Sequence, residues 1–235
     1  MSEGNLHLLA LRTLGTLDLT DSDGNEIQAI LAQPKRYAIL AYLALAQPLG
    51  LHRRDTILGL FWPEQSEANA RNALSQSLSF LRRHLPEDVI LGRGTDEVGL
   101  PPGALWTDVA EFETALAEGR WEQALDLYGG DFLRGFFLDN ARGFADWVDA
   151  ERERLRELAA GAAWSLAREQ IQSGLLVDAE RSGQKALGFV WSDETPVREF
   201  IGLLAGAGDG SAALRFYEKF RTKLWDELEL EPSPA

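Results

Sequence analysis

At 235 residues, with 45% hydrophobic and 26% charged side chains, the chain is long enough for one large or two ordinary domains, and its composition excludes a disordered or fibrous class. The absence of cysteine excludes a disulfide framework, a thiolate metal site and a cysteine nucleophile. The net charge of -14 is unevenly spread, -3 over residues 1–107 and -11 over residues 108–235, so the acidity that repels phosphate belongs mostly to the second part.

The N-terminus, M-S-E-G-N-L-H, lacks the basic and apolar regions of a secretory signal. The longest uncharged stretch, from Tyr37, is broken by Gln47, Pro48 and Gly50 and is too short to span a bilayer, so a cytoplasmic protein with no membrane partner is expected. Leu6 to Arg12, Gly15 to Leu19 and Ile27 to Leu31 read as three short strands of a small antiparallel sheet, with turn residues from Asp21 to Asn25. Pro34 precedes a helix from Tyr37 to Ala46 that Pro48 and Gly50 stop. A second helix, Arg53 to Phe61, is closed by Pro63.

The third helix, Ala68 to Leu85, carries Ala70, Leu74, Leu78, Leu81 and Leu85 on one face, because steps of three and four residues stack at about 100° per residue. Its opposite face presents Asn69, Asn72, Gln76, Ser79 and Arg83, with no carboxylate. Such amide and guanidinium groups read base edges, Arg pairing with guanine and Asn or Gln with adenine; the competing reading is a solvated face. Arg53, Arg54, Arg71, Arg82 and Arg93 either neutralise phosphates or pair with nearby carboxylates. From Leu51 to Leu85 the local balance is +2. Val89 to Leu100 then reads as a hairpin around Gly92, Arg93 and Gly94. Sheet, three helices and hairpin form the order of a winged helix-turn-helix.

Pro101, Pro102 and Gly103 mark a linker, which divides the chain into a winged-helix domain, 1–103, and an all-α domain, 104–235, where no strand signal is found. Gly119, Gly174 and Gly208 each stand five residues before an alanine that opens a helix, Ala124, Ala179 and Ala213. The last two glycines lie 34 residues apart, the tetratricopeptide period, whereas the first two lie 55 apart, so an insertion is expected around Gly129 to Gly135. Trp121, Trp147, Trp164, Trp191 and Trp225 read as core between helix pairs, and the charges from Asp146 to Glu157 as a solvated helix with local ion pairs. His7, His52 and His84 have no metal-ligand spacing, no serine elbow or phosphate-cradling Gly-Lys-Ser loop occurs, and Gly206 to Gly210 lacks the third glycine of a dinucleotide fingerprint. No catalytic residue, metal or cofactor is expected.

Leu60-Phe-Trp62-Pro63, Ala70-Arg71-Asn72-Ala-Leu74 with Leu81-Arg82-Arg83, Asp108 and Phe112, Tyr128-Gly-Gly-Asp131-Phe-Leu, Trp147 to Arg154 and Leu228-Glu-Leu-Glu-Pro232-Ser together resemble the antibiotic-regulatory-protein activators of bacteria. These join a response-regulator-type winged helix to a bacterial transcriptional activator domain. The resemblance implies binding of double-stranded promoter DNA, as a homodimer on direct repeats, and recruitment of RNA polymerase. It also implies that the loop before the third helix, with Trp62, Glu64, Gln65 and Glu67, touches polymerase. Ser75 and Phe80 depart from the Arg or polar residues common in relatives, and Asp96 and Glu97 sit on the wing, which reduces the counterion-release contribution to DNA affinity. The rival reading is a protein-interaction adaptor whose winged helix no longer binds DNA.

Overall fold

Alternation of Leu9 and Leu11 with Ala10 and Arg12 builds β1 (Leu9–Arg12), both of whose leucines are fully buried. The computed structural model describes residues 9–191 and 193–233; Leu6 to Leu8, where the sequence predicts the first strand to begin, lie outside the described residues, and His7 with them. Antiparallel to β1 runs β2 (Asp18–Asp21), with Leu11 opposite Leu19.

The strand predicted over Ile27 to Leu31 is instead a short helix, α1 (Gln28–Leu31). Ile27 still donates its N–H to the Leu19 carbonyl at 2.8 Å, but Ile27, Ile30 and Leu31 are spaced i, i+3, i+4, and the chain curls so that Ile30 is buried. Then come α2 (Pro34–Leu45), β3 (Leu51–Arg53), α3 (Arg54–Phe61) and α4 (Glu67–His84), followed by the hairpin β4 (Leu91–Arg93) and β5 (Glu97–Gly99). The sequence reading missed β3, which pairs with β5 through His52 opposite Val98 and makes the wing a three-stranded sheet of order β3-β5-β4. It also missed β6 (Trp106–Thr107), which lies beyond the linker and runs parallel to β1, giving the order β2-β1-β6.

The remaining elements are α5 (Asp108–Ala117), α6 (Trp121–Leu127), α7 (Arg142–Gln172), α8 (Leu176–Phe189), α9 (Glu194–Gly206) and α10 (Gly210–Leu228). By contact the chain divides into two units: residues up to Glu113 with Leu127–Arg152, and Thr114–Asp126 with the chain from Glu153 onward. The division cuts across the expected boundary at 103/104, because the insertion joins the winged helix.

In the first unit Phe132, Phe136, Phe144 and Trp147 pack against Tyr37, Tyr42 and Phe61, with Phe61–Phe144 centroids 4.9 Å apart and Tyr42–Trp147 5.0 Å apart. Backbone bonds run from Leu133 N–H to the Thr13 carbonyl (2.8 Å) and from Gly15 N–H to the Asp131 carbonyl (3.2 Å). A Cβ on Gly15 would stand 2.7 Å from the Gly129 carbonyl, and a Cβ on Gly129 or Gly130 would stand 3.1 Å from the Leu14 carbonyl oxygen or 3.0 Å from the Gly15 Cα, so this close backbone approach favours glycine at all three positions. Arg152, expected as one of several solvated charges, donates to the carbonyls of Phe132 and Leu133, both at 2.8 Å, and anchors the insertion. The buried Asp108 carboxylate accepts from the N–H groups of Thr13 and Leu14 at 2.7 Å, Val109 N–H at 2.9 Å and the Thr13 hydroxyl at 3.0 Å.

The second unit is helical. Each of the three glycines adopts positive φ, 69° at Gly119, 75° at Gly174 and 91° at Gly208. Each donates its N–H three residues back while the next residue donates five back: Arg120 to Ala115, Leu175 to Gln170 and Asp209 to Leu204. This is the double-bonded glycine C-cap repeated three times, and the alanine five residues later is buried in every copy. Trp164, Phe200 and Phe216 centre the core, with Phe200–Phe216 centroids 4.8 Å apart. Trp121 and Trp191 flank that core, but Trp225, expected inside, is 53% exposed because it shares the outer face of α10 with Leu214 and Leu228. No helix among the described residues is long and apolar enough to cross a membrane.

Candidate nucleic-acid interface

The geometry of α4 follows from its sequence. Ser66 caps it, its Oγ accepting from Asn69 N–H at 3.4 Å, and Ala70, Leu74, Ser77, Leu78 and Leu81 form the buried face. Asn69, Asn72, Gln76, Ser79 and Arg83 all lie exposed on the other side, and among the described residues none of their side chains makes a hydrogen bond or ion pair. Phe80, on the flank of this ridge, is partly buried. The Arg36 guanidinium lies 3.7 Å from its ring centroid and the His84 ring stacks on it at 4.1 Å.

The five arginines expected on phosphates divide into distinct environments. Arg53 is exposed and unpaired among the described residues. Arg54 is half-buried, and among the described residues its Nε has no partner. Burial first, then repulsion from Arg82 and Arg71, lowers its pKa, while Asp96 opposes the shift. Arg71 bridges α4 to α3 through Asp55 at 2.8 Å and pairs with Glu67 at 2.9 Å. Arg82 donates through Nε to the carbonyl of Ile90, the residue just before β4, at 3.3 Å. Arg93 pairs across the hairpin with Glu97.

The wing thus cancels one of its own charges, and Asp96 is tied through its carbonyl to Arg54 N–H at 2.8 Å. Ser75 donates back to the Arg71 carbonyl at 2.8 Å. Before α4, Glu64 and Gln65 are exposed, as is Glu67, which was expected in this loop but opens the helix after the Ser66 cap, whereas Trp62 is only 7% exposed, packed on Phe61 and under the Lys35 ammonium. Trp62 is thus largely buried, and the exposed side chains of this segment are Glu64, Gln65 and Glu67.

Sequence reasoning missed Asp108 and Arg152 as structural hubs and Arg36 as a neighbour of the ridge. Their partners stand up to 95 residues away, at Thr13, and no local pattern reports them. In the second unit an open groove of about 650 Å³ is lined by Arg120, Trp121, Gln123, Glu169, Gln170 and Asp178, among others. No cluster of three or more His, Cys, Asp or Glu that could hold a metal occurs among the described residues.

The family model of the bacterial transcriptional activator domain matches residues 107–235. Among solved structures, the chain is similar to Mycobacterium tuberculosis EmbR in complex with low affinity phosphopeptide, at 24% identity and a TM-score of 0.69 over 97% of this chain. It spans 62% of that chain's length, and at this identity the likeness is one of fold. No curated protein matches the sequence. With more than half of its length matched, and with a winged helix before the helical repeats, the chain belongs to the bacterial transcriptional activator domain family, a family of transcriptional regulators and not of enzymes.

Proposed function

We propose that the chain activates transcription from the cytoplasm by binding promoter DNA through α4 and recruiting RNA polymerase. The observation that carries this reading is the ridge of Asn69, Asn72, Gln76, Ser79 and Arg83, five polar side chains exposed and unpartnered among the described residues on the helix that a winged helix places in the major groove. Arg53, Arg54, Arg71, Arg82 and Arg93 contact phosphates, with Arg71 exchanging its exposed partners Asp55 and Glu67, and Arg93 its partly buried partner Glu97, for the DNA. Exposed ion pairs contribute at most about 1 kcal/mol, so the exchange at Arg71 costs little. Glu64, Gln65 and Glu67 face polymerase, and two copies of the chain bind direct repeats.

The test is selection of duplexes from a random pool, followed by titration of variants on a selected and a scrambled duplex. Arg83→Ala weakens the selected duplex by about 1–3 kcal/mol and leaves the scrambled one unchanged. Arg53→Ala weakens both alike and lowers the slope of log affinity against log salt by about one. Failure of the whole chain to bind any duplex at low salt overturns the reading in favour of a protein adaptor working through the groove beside Trp121.

A further inference from the structure

The first turn of α2 carries Lys35 and Arg36 and no carboxylate. The two cations behave oppositely. Lys35 turns toward α3, donating through Nζ to the Phe61 carbonyl at 3.2 Å with the Trp62 ring centroid 5.3 Å away. Arg36 reaches α4, where its guanidinium carbon stands 3.7 Å from the Phe80 ring centroid. That distance is attainable only over the ring face. The ring quadrupole attracts the cation without using its N–H donors, and among the described residues no acceptor takes them.

Phe80 is itself fixed. It stacks with His84, whose Nδ1 lies 2.9 Å from the Phe80 carbonyl. On α4 it follows Gln76 by four residues and precedes Arg83 by three, so Arg36 stands beside the ridge although it belongs to another helix. A half-buried guanidinium, oriented by an aromatic platform and left with free donors next to a groove-reading face, has the chemistry of a phosphate clamp.

We propose that Arg36 binds a backbone phosphate of the duplex and that Phe80 positions it. The inference rests on the proposed DNA-binding function and adds to it a contact outside α4, α3 and the wing. The side chain carries no base recognition, so its contribution is independent of sequence.

The experiment titrates the whole chain and the variants Arg36→Gln, Arg36→Lys and Phe80→Leu with a selected and a scrambled duplex over a range of salt, with thermal melting of each variant alongside. Arg36→Gln weakens both duplexes by the same several-fold factor and lowers the salt slope by about one. Arg36→Lys keeps the slope of the unmodified chain, because the charge remains. Phe80→Leu weakens both duplexes while every cation is still present. An Arg36→Gln chain with unchanged slope overturns the inference and leaves the proposed function standing, as does a loss confined to the selected duplex. If Arg36→Gln alters melting, Phe80→Leu decides, and unchanged affinity in that variant overturns the positioning role. Absence of DNA binding by the unmodified chain overturns the function and the inference together.

Discussion

Asp108 and His52 show how single side chains set the stability of the first unit. Asp108 accepts four hydrogen bonds in a buried site, two of them from consecutive backbone N–H groups of Thr13 and Leu14. Asp108→Ala leaves buried donors unpaired and is expected to cost about 3 kcal/mol or more, whereas Asp108→Asn keeps one acceptor for Thr13 and Leu14 and turns an amide toward Val109 N–H, costing about 1–2 kcal/mol. Urea denaturation of the two variants gives the ranking. His52 is 8% exposed, its Nε2 has no partner among the described residues, and burial lowers its pKa from the ordinary 6.5. With a depressed folded pKa the stabilisation is complete above 6.5 and is lost as pH falls toward the folded value, since the unfolded chain takes up the proton first. Urea midpoints between pH 7 and pH 5 therefore fall for the unmodified chain, and His52→Phe is expected to flatten that fall.

At the scale of elements, two glycines of the helical unit separate strain from crowding. Gly174 holds φ at 75° with no described residue within 4 Å of an added Cβ, while in helix α8 a Cβ on Gly183 meets the Phe200 ring at 2.6 Å. Gly174→Ala should cost about 1–2 kcal/mol and Gly174→Asn less, because asparagine tolerates left-handed backbone. At Gly183 the order reverses: alanine costs about 1–3 kcal/mol by overpacking, and the larger asparagine costs more. Melting temperatures of the four variants distinguish the two mechanisms. The Gly174 turn was legible because its signal is local, a glycine five residues before a small helix-opening residue. The same holds for α4, where Leu74, Leu78 and Leu81 declare the buried face and so expose the ridge from Asn69 to Arg83. By contrast β3 and β6 are three and two residues long, and they become strands only by pairing with Val98 and Ala10, far off in sequence. The pairing of Arg71 with Asp55 and the placing of Arg36 on Phe80 depend likewise on how helices meet, which periodicity does not encode.

At the scale of the whole chain, the first unit draws on sequence well past the Pro101-Pro102-Gly103 linker. A fragment ending at residue 103 lacks β6, which pairs with β1, and the Asp108 carboxylate that holds Thr13 and Leu14. It also lacks Phe132, Phe136, Phe144 and Trp147, leaving Tyr37 and Phe61, now 2% and 0% exposed, uncovered on that side. Burying a large apolar side chain contributes about 1.5–3 kcal/mol, so loss of these contacts removes an amount comparable to the about 5–15 kcal/mol stability of an ordinary domain. The 1–103 fragment is therefore expected to melt without a cooperative transition and to show weak near-UV circular dichroism. A fragment ending at residue 152 keeps the aromatic cluster and the Arg152 anchor to Phe132 and Leu133, and is expected to melt cooperatively. Cooperative melting of the shorter fragment at the temperature of the longer one would show that the winged helix stands without the insertion. The ordering expected here follows from where the aromatic rings lie: a boundary drawn at the linker severs the first unit's core, and one drawn after Arg152 leaves it whole.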